Sequence, residues 1–194
     1  MFSWSHAETN THQDHVIAHV IGATVFAYFI FDDTVFLLLD IGFIWHVYLD
    51  GEMGLRPHPV AVAELETDSP TKRDLQAAID ATLQHGVVAS PGFLKPSPNM
   101  TPIQSVDFFV RQNSRRLLLT CEDGHIVVET SLETSEVTVM GTAGDAEAAT
   151  ASSDLTTAAL EERDFVRTTL ANQLGREPTE EEVNEWLREH TESY

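Results

Sequence analysis

Between residues 106 and 130, three short runs alternate apolar and polar positions with a period of two: 106–112, 115–122 and 125–130. That period predicts a meander of antiparallel strands, each with one buried face. The dipeptides Asn113-Ser114 and Asp123-Gly124 separate the runs, and Asp-Gly favours a two-residue type I′ turn. Two-residue loops there set Val110 opposite Leu117, Phe108 opposite Leu119, and Cys121 between Val106 and Ile126. One face then collects Val106, Phe108, Val110, Leu117, Leu119, Cys121, Ile126 and Val128, while Phe109, Leu118 and Val127 lie on the other. Residues 136–141 add a fourth strand with Val137 and Val139 inward.

The segment 16–49 is strongly apolar, yet His19, Asp32, Asp33, Asp40 and His46 interrupt it. Neither of its halves reaches the ~20 apolar residues of a spanning helix. No basic residue precedes Arg56 to orient one. Both halves are therefore expected in a protein core. From Leu39 to Leu49 every odd residue is large and apolar, which reads as one half-buried strand. Asp32-Asp33-Thr34 turns the chain between strands at 25–31 and 35–39, residues 50–54 form another turn, and 60–65 make a short strand. The same apolar runs also fit two buried helices joined at Asp33-Thr34.

Helical spacing appears later. Leu75, Ile79 and Leu83 recur every four residues over 71–85, with Thr71 as cap, Asp74 three residues on, and Gly86 as terminator. Residues 90–102 hold five Pro or Gly and read as an irregular loop. The stretch 141–153 contains only Ala, Gly, Ser, Thr and acidic residues, a linker composition. Beyond it, Leu155, Ala159, Val166, Leu170 and Leu174 form one helical stripe. Thr179 and Glu182 form a capping box for a second helix ridged by Val183, Trp186 and Leu187. The run 174–179 resembles a helix junction of primary sigma factors. Capping chemistry accounts for that likeness, and the adjoining Glu180-Glu181-Glu182 would repel DNA. The expected fold is α+β: antiparallel β meanders with one intervening helix and a C-terminal helical hairpin. Residues 1–140 form the core domain (β-rich 15–66, helix 71–85, meander 105–141), followed by the linker and an acidic hairpin at 154–194.

Charge changes the picture of solvent and partners. The 194 residues hold 31 Asp and Glu against 11 Lys and Arg, a net charge of −20. A hydrophobic fraction of 42% separates the chain from disordered acidic proteins. The charge excludes general nucleic-acid binding, which depends on basic residues neutralising phosphates. The single cysteine excludes a disulfide framework. Lysine occurs only at Lys72 and Lys95, whereas arginine occurs nine times. An acidic, lysine-poor surface suits concentrated salt, where a screening length of ~3 Å removes self-repulsion. Residues 1–14 are polar and histidine-rich with no signal-peptide pattern, so the expected compartment is a halophile's cytoplasm.

Three constellations could carry chemistry. On a helix, His12, His15 and His19 share one face and could hold a divalent transition metal; on a strand they could not. In the register above Arg111 faces Arg116, a pair that invites a small anion between them. Asp40 and His46 share the polar face of the 39–50 strand but stand ~20 Å apart. Cys121 faces inward and should be inert. No nucleophile elbow, phosphate loop, dinucleotide fingerprint or EF-hand is present. The leading expectation is a non-enzymatic binding or assembly protein that holds a protein partner or second copy through Phe109, Leu118, Val183, Trp186 and Leu187. A metal-binding protein or metal-dependent enzyme built on the histidines is the alternative, and a small-anion sensor at Arg111 and Arg116 the second.

Overall fold

The computed structural model describes residues 3–88, 92–142, 154–179, 182, 183, 185 and 186. In chain order the first half runs β1 (Ser5–His6), α1 (Thr11–Val20), β2 (Val25–Phe31), β3 (Thr34–Leu39), β4 (Phe43–Val47), β5 (Met53–Pro57), α2 (His58–Glu64) and α3 (Ser69–His85). The second half runs β6 (Lys95–Pro96), β7 (Ile103–Arg111), β8 (Ser114–Cys121), β9 (Gly124–Ser131), β10 (Glu136–Thr142) and α4 (Asp154–Leu174). These strands make two antiparallel sheets, ordered β5-β4-β3-β2-β6 and β1-β7-β8-β9-β10. The class is α+β, as the two meanders predict.

The sheets face each other across one core. Val35, Leu37, Leu39 and Trp45 from the first meet Phe108, Leu117, Leu119 and Ile126 from the second, together with Val16, Ile17 and Val20 of α1. The first sheet is buried on its other face too, where Phe29, Leu38 and Ile44 pack on Ala61 and Val62 of α2 and Leu75 and Ile79 of α3. Burial on both faces explains why 25–31 and 35–39 show no alternation. Asp32 and Asp33 both take positive φ, 46° and 57°, the geometry of a type I′ turn.

Local chemistry revises several expectations. Residues 11–20 are a helix, not a strand: the Asn10 side chain accepts from Gln13 N, and the Gln13 side chain accepts from Asn10 N. Two helices, not one, lie between the meanders. The expected strand at 60–65 is α2, whose Pro59 occupies the first turn, where a missing N–H costs nothing. The cap of α3 is Asp68 rather than Thr71, with Asp68 Oδ1 accepting from Thr71 N at 2.9 Å. The 39–50 alternation spans a turn, in which Gly42 takes φ +81° and Asp40 Oδ1 accepts from Thr24 N.

In the second meander both hairpin turns sit one residue earlier than expected. Gln112 (φ +53°) and Asn113 turn the chain, so Arg111 pairs with Ser114; Glu122 and Asp123 do the same, so Cys121 pairs with Gly124. Each register therefore slips by two residues. A slip of two leaves every side chain on its own face, so the core face stands while the cross-strand partners change. Phe108 faces Leu117, Phe109 faces Arg116, and Leu118 lies between Asp107 and Val127.

Residues 141 and 142 belong to β10 rather than to a linker, and the rest of the expected linker, 143–153, lies outside the described residues. Helix α4 is fastened to the core by Arg163, which donates from Nη1 to Ala18 O at 3.0 Å and Ile21 O at 3.4 Å. A guanidinium there satisfies carbonyls at the α1 C-terminus and complements its partial negative charge. No helix among the described residues is long and apolar enough to cross a membrane.

Candidate functional site

Three hairpin turns from both sheets converge at one end of the sandwich: Asp32-Asp33 between β2 and β3, residues 48–52 between β4 and β5, and residues 132–135 between β9 and β10. The middle turn is held from both sides. Thr130 Oγ1 of β9 donates to Leu49 O at 2.7 Å. From α1, Gln13 Nε2 donates to Gly51 O at 3.0 Å, and a His12 ring nitrogen lies 3.0 Å from Met53 O. Gly51 takes φ +93°, and a Cβ there would clash with the Cζ end of the Phe108 ring.

The turns border a shallow, open cleft of about 270 Å³ lined by Asp32, Asp33, Thr34, Tyr48, Leu49, Asp50 and Leu132. Its apolar wall is exposed, with Tyr48 at 46% and Leu132 at 43%. Asp50 spends Oδ1 on Glu52 N at 3.0 Å. Among the described residues neither Asp32 nor Asp33 is paired with a cation. Three carboxylates lining a cleft with an aromatic ring form an environment for a cationic group.

Tyr48 also walls a second cavity of about 180 Å³, with Phe36, His46, Arg56, Ala61, Glu64 and Leu65. The His46 ring stands edge-on to Tyr48 at 5.3 Å. Burial first, then the nearby charges of Arg56 and His12, lower its pKa to about 4, so the imidazole is neutral at neutral pH. Arg56 Nε lies 3.0 Å from Glu64 Oε2 on the rim. The His46 shift makes stability depend on pH. As pH falls from 6.5 to 4 the unfolded chain takes up a proton that the folded one refuses, so the folded state loses stability through that window. Asp107, raised by burial, works in the opposite direction, because the fold disfavours its ionised form. Denaturant melts at intervals across pH 4–6.5 should therefore show an acid-side decline that His46→Phe flattens; an unchanged slope in the variant would remove His46 as its cause.

The residues singled out in the sequence are placed differently. Helix α1 gives His12, His15 and His19 their common backbone, but His12 is engaged with Met53 and His19 is 2% exposed, packed on Phe43. Among the described residues no three His, Cys, Asp or Glu side chains are grouped to hold a metal. Arg111 and Arg116 are not cross-strand partners; both guanidiniums lie over the Trp4 ring, at 4.3 and 4.1 Å. Arg116 also grips Glu129 Oε1 through Nε at 2.8 Å and Nη2 at 2.5 Å. Phe109 takes the edge of His6 at 5.5 Å, and Leu118 is 5% exposed, so the second face of the meander is largely covered by this chain. Val183 is fully buried with Val166 and Leu170, and Trp186 packs against them; Leu187 lies outside the described residues. Asp40 is spent on Thr24 N. Burial pushes the Cys121 thiol up to about 11.

Sequence reasoning missed the cleft, though two signals for it were present. Tyr48 follows His46 on the polar side of its strand, and Leu132 is an apolar residue stranded in a turn. Comparison with protein-family models, curated proteins and solved structures returned no match.

Proposed function

We propose that this chain is a non-enzymatic binding protein of a salt-rich cytoplasm, and that its cleft takes a guanidinium or alkylammonium group on a short apolar stem. The supporting observation is the cleft that Asp32, Asp33 and Asp50 line together with the exposed Tyr48 and Leu132. Carboxylates supply charge-assisted hydrogen bonds, and the ring adds cation–π attraction that salt screens less than long-range steering. At about 270 Å³ the site falls below the ~300–1,000 Å³ range of drug-sized pockets and fits one side chain or a small amine. An arginine or lysine of a protein partner is the occupant we favour, because Leu132 and Tyr48 offer apolar contact beyond the charged head. The lysine-poor acidic surface supports the salt-rich setting.

Isothermal titration in molar KCl should give saturable binding of butylguanidinium with Kd around 1 mM, about −4 kcal/mol. Butanol should give none, and Asp33→Asn/Asp50→Asn should abolish the signal. An arginine-bearing peptide that binds more tightly than butylguanidinium marks a protein partner. Equal heats from butanol, or binding unchanged in the double variant, would defeat the proposal.

A further inference from the structure

We propose that the smaller cavity beside Tyr48 is a separate binding site for a short-chain organic carboxylate, independent of the carboxylate-rimmed cleft except for the shared tyrosine wall. Its polar lining residues are His46, Tyr48, Arg56 and Glu64, of which the first three can donate. In the β4–β5 ladder His46 lies opposite Gly54, and a Cβ at 54 would come within 2.5 Å of His46 Nε2. The missing side chain at 54 is thus the seat of the imidazole. Phe36 and Tyr48 hold the ring from either side, at 6.1 and 5.3 Å. Among the described residues no hydrogen-bond partner reaches either ring nitrogen. A neutral imidazole seated this way offers one N–H.

Arg56 supplies the charge. Its Nε lies 3.0 Å from Glu64 Oε2 in an exposed ion pair at the rim, which leaves the two terminal nitrogens for a second acceptor. Tyr48, which lines the same cavity, carries a hydroxyl able to act as a third donor. Donors from guanidinium, imidazole and phenol match a carboxylate, which when ionised only accepts. Phe36, Ala61 and Leu65 provide apolar wall for a short alkyl chain. The volume, about 180 Å³, suits a small ligand. Arg56 sets this cavity apart from the neighbouring cleft, whose charged lining residues are all carboxylates.

The test is an NMR titration of isotope-labelled protein in molar KCl, reading the His46 ring resonances. The probes are butyrate, butanol and butylamine, which share a chain and differ in the head group. Butyrate should shift His46 saturably while the other two do not. Arg56→Gln should weaken that binding by about tenfold or more. Glu64→Gln, which removes a competing carboxylate but keeps the guanidinium, should bind butyrate at least as well as the parent chain. Both altered residues are half-exposed, so dispersed backbone spectra will show that the variants fold. The proposal falls if His46 does not respond to butyrate, responds equally to butanol, or binds butyrate equally well in Arg56→Gln. A failure of butylguanidinium at the other cleft leaves this result untouched, since the two sites are read by different resonances.

Discussion

Gly51→Ala is expected to lower the folding free energy by roughly 2–5 kcal/mol, a large share of the ~5–15 kcal/mol that holds a domain together. Two costs add. At φ +93° a residue with a Cβ is strained by about 1–2 kcal/mol. The new atom would also overlap the Phe108 ring, and overpacking of that kind costs about 1–3 kcal/mol. Phe108 is 6% exposed and belongs to the core between the sheets, so its ring can yield only by disturbing Leu117 opposite it. The damage would reach the cleft as well. Gly51 O anchors Gln13, and Asp50 and Leu49 beside it line the cavity. Gly92→Ala is the control, because nothing lies within 4 Å of a Cβ built there and its φ is not positive. Denaturant melts of the two variants should differ by at least ~2 kcal/mol. A Gly51→Ala loss within ~0.5 kcal/mol would mean that the turn is looser than described.

Removal of salt is expected to unfold the chain without any substitution. With a net charge of −20, the carboxylates repel across the whole molecule when the screening length grows from ~3 Å in 1 M salt to ~30 Å at 0.01 M. Repulsion is uneven: residues 1–70 carry 10 acids and one base, while 71–140 carry 8 and 6. The first sheet and the cleft should therefore loosen before the second meander. Trp45, fully buried in the core, reports on that step. Near-ultraviolet circular dichroism during dilution from molar KCl should lose the signal of packed aromatic rings in a cooperative transition, recoverable when salt is restored. A spectrum and melting temperature unchanged between ~1 M and ~0.01 M salt would identify an ordinary acidic protein.

Strand faces were legible in the sequence because the side-chain period of two survives an error of two in register. Phe108, Leu117, Leu119 and Ile126 therefore fall in the core whichever dipeptide makes the turn. Helix α1 was hidden because Val16, Ile17 and Val20 have the composition of the strands that follow. Its decisive signal, the reciprocal cap between Asn10 and Gln13, lies in the polar segment before them. The two prolines at 57 and 59 look like helix breakers until the second is placed in the first turn of α2, where no hydrogen bond is lost. The local signs of the cleft, Tyr48 beside His46 and Leu132 in a turn, did not show that its walls meet. Asp33, Asp50 and Leu132 come together only once both sheets are stacked, and Thr130 binding Leu49 O is the long-range contact that joins them. Conversely, the arginines that seemed to invite an anion meet Trp4 and Glu129, partners that the slipped register concealed.

The direct measurement is an amide NMR titration of the protein in molar KCl with butylguanidinium. Saturable shifts confined to Asp33, Thr34, Leu49, Asp50 and Leu132, absent in Asp33→Asn/Asp50→Asn, are the result expected of a cation-binding cleft at this end of the sandwich. Shifts scattered over the acidic surface, or the same shifts from butanol, would contradict it.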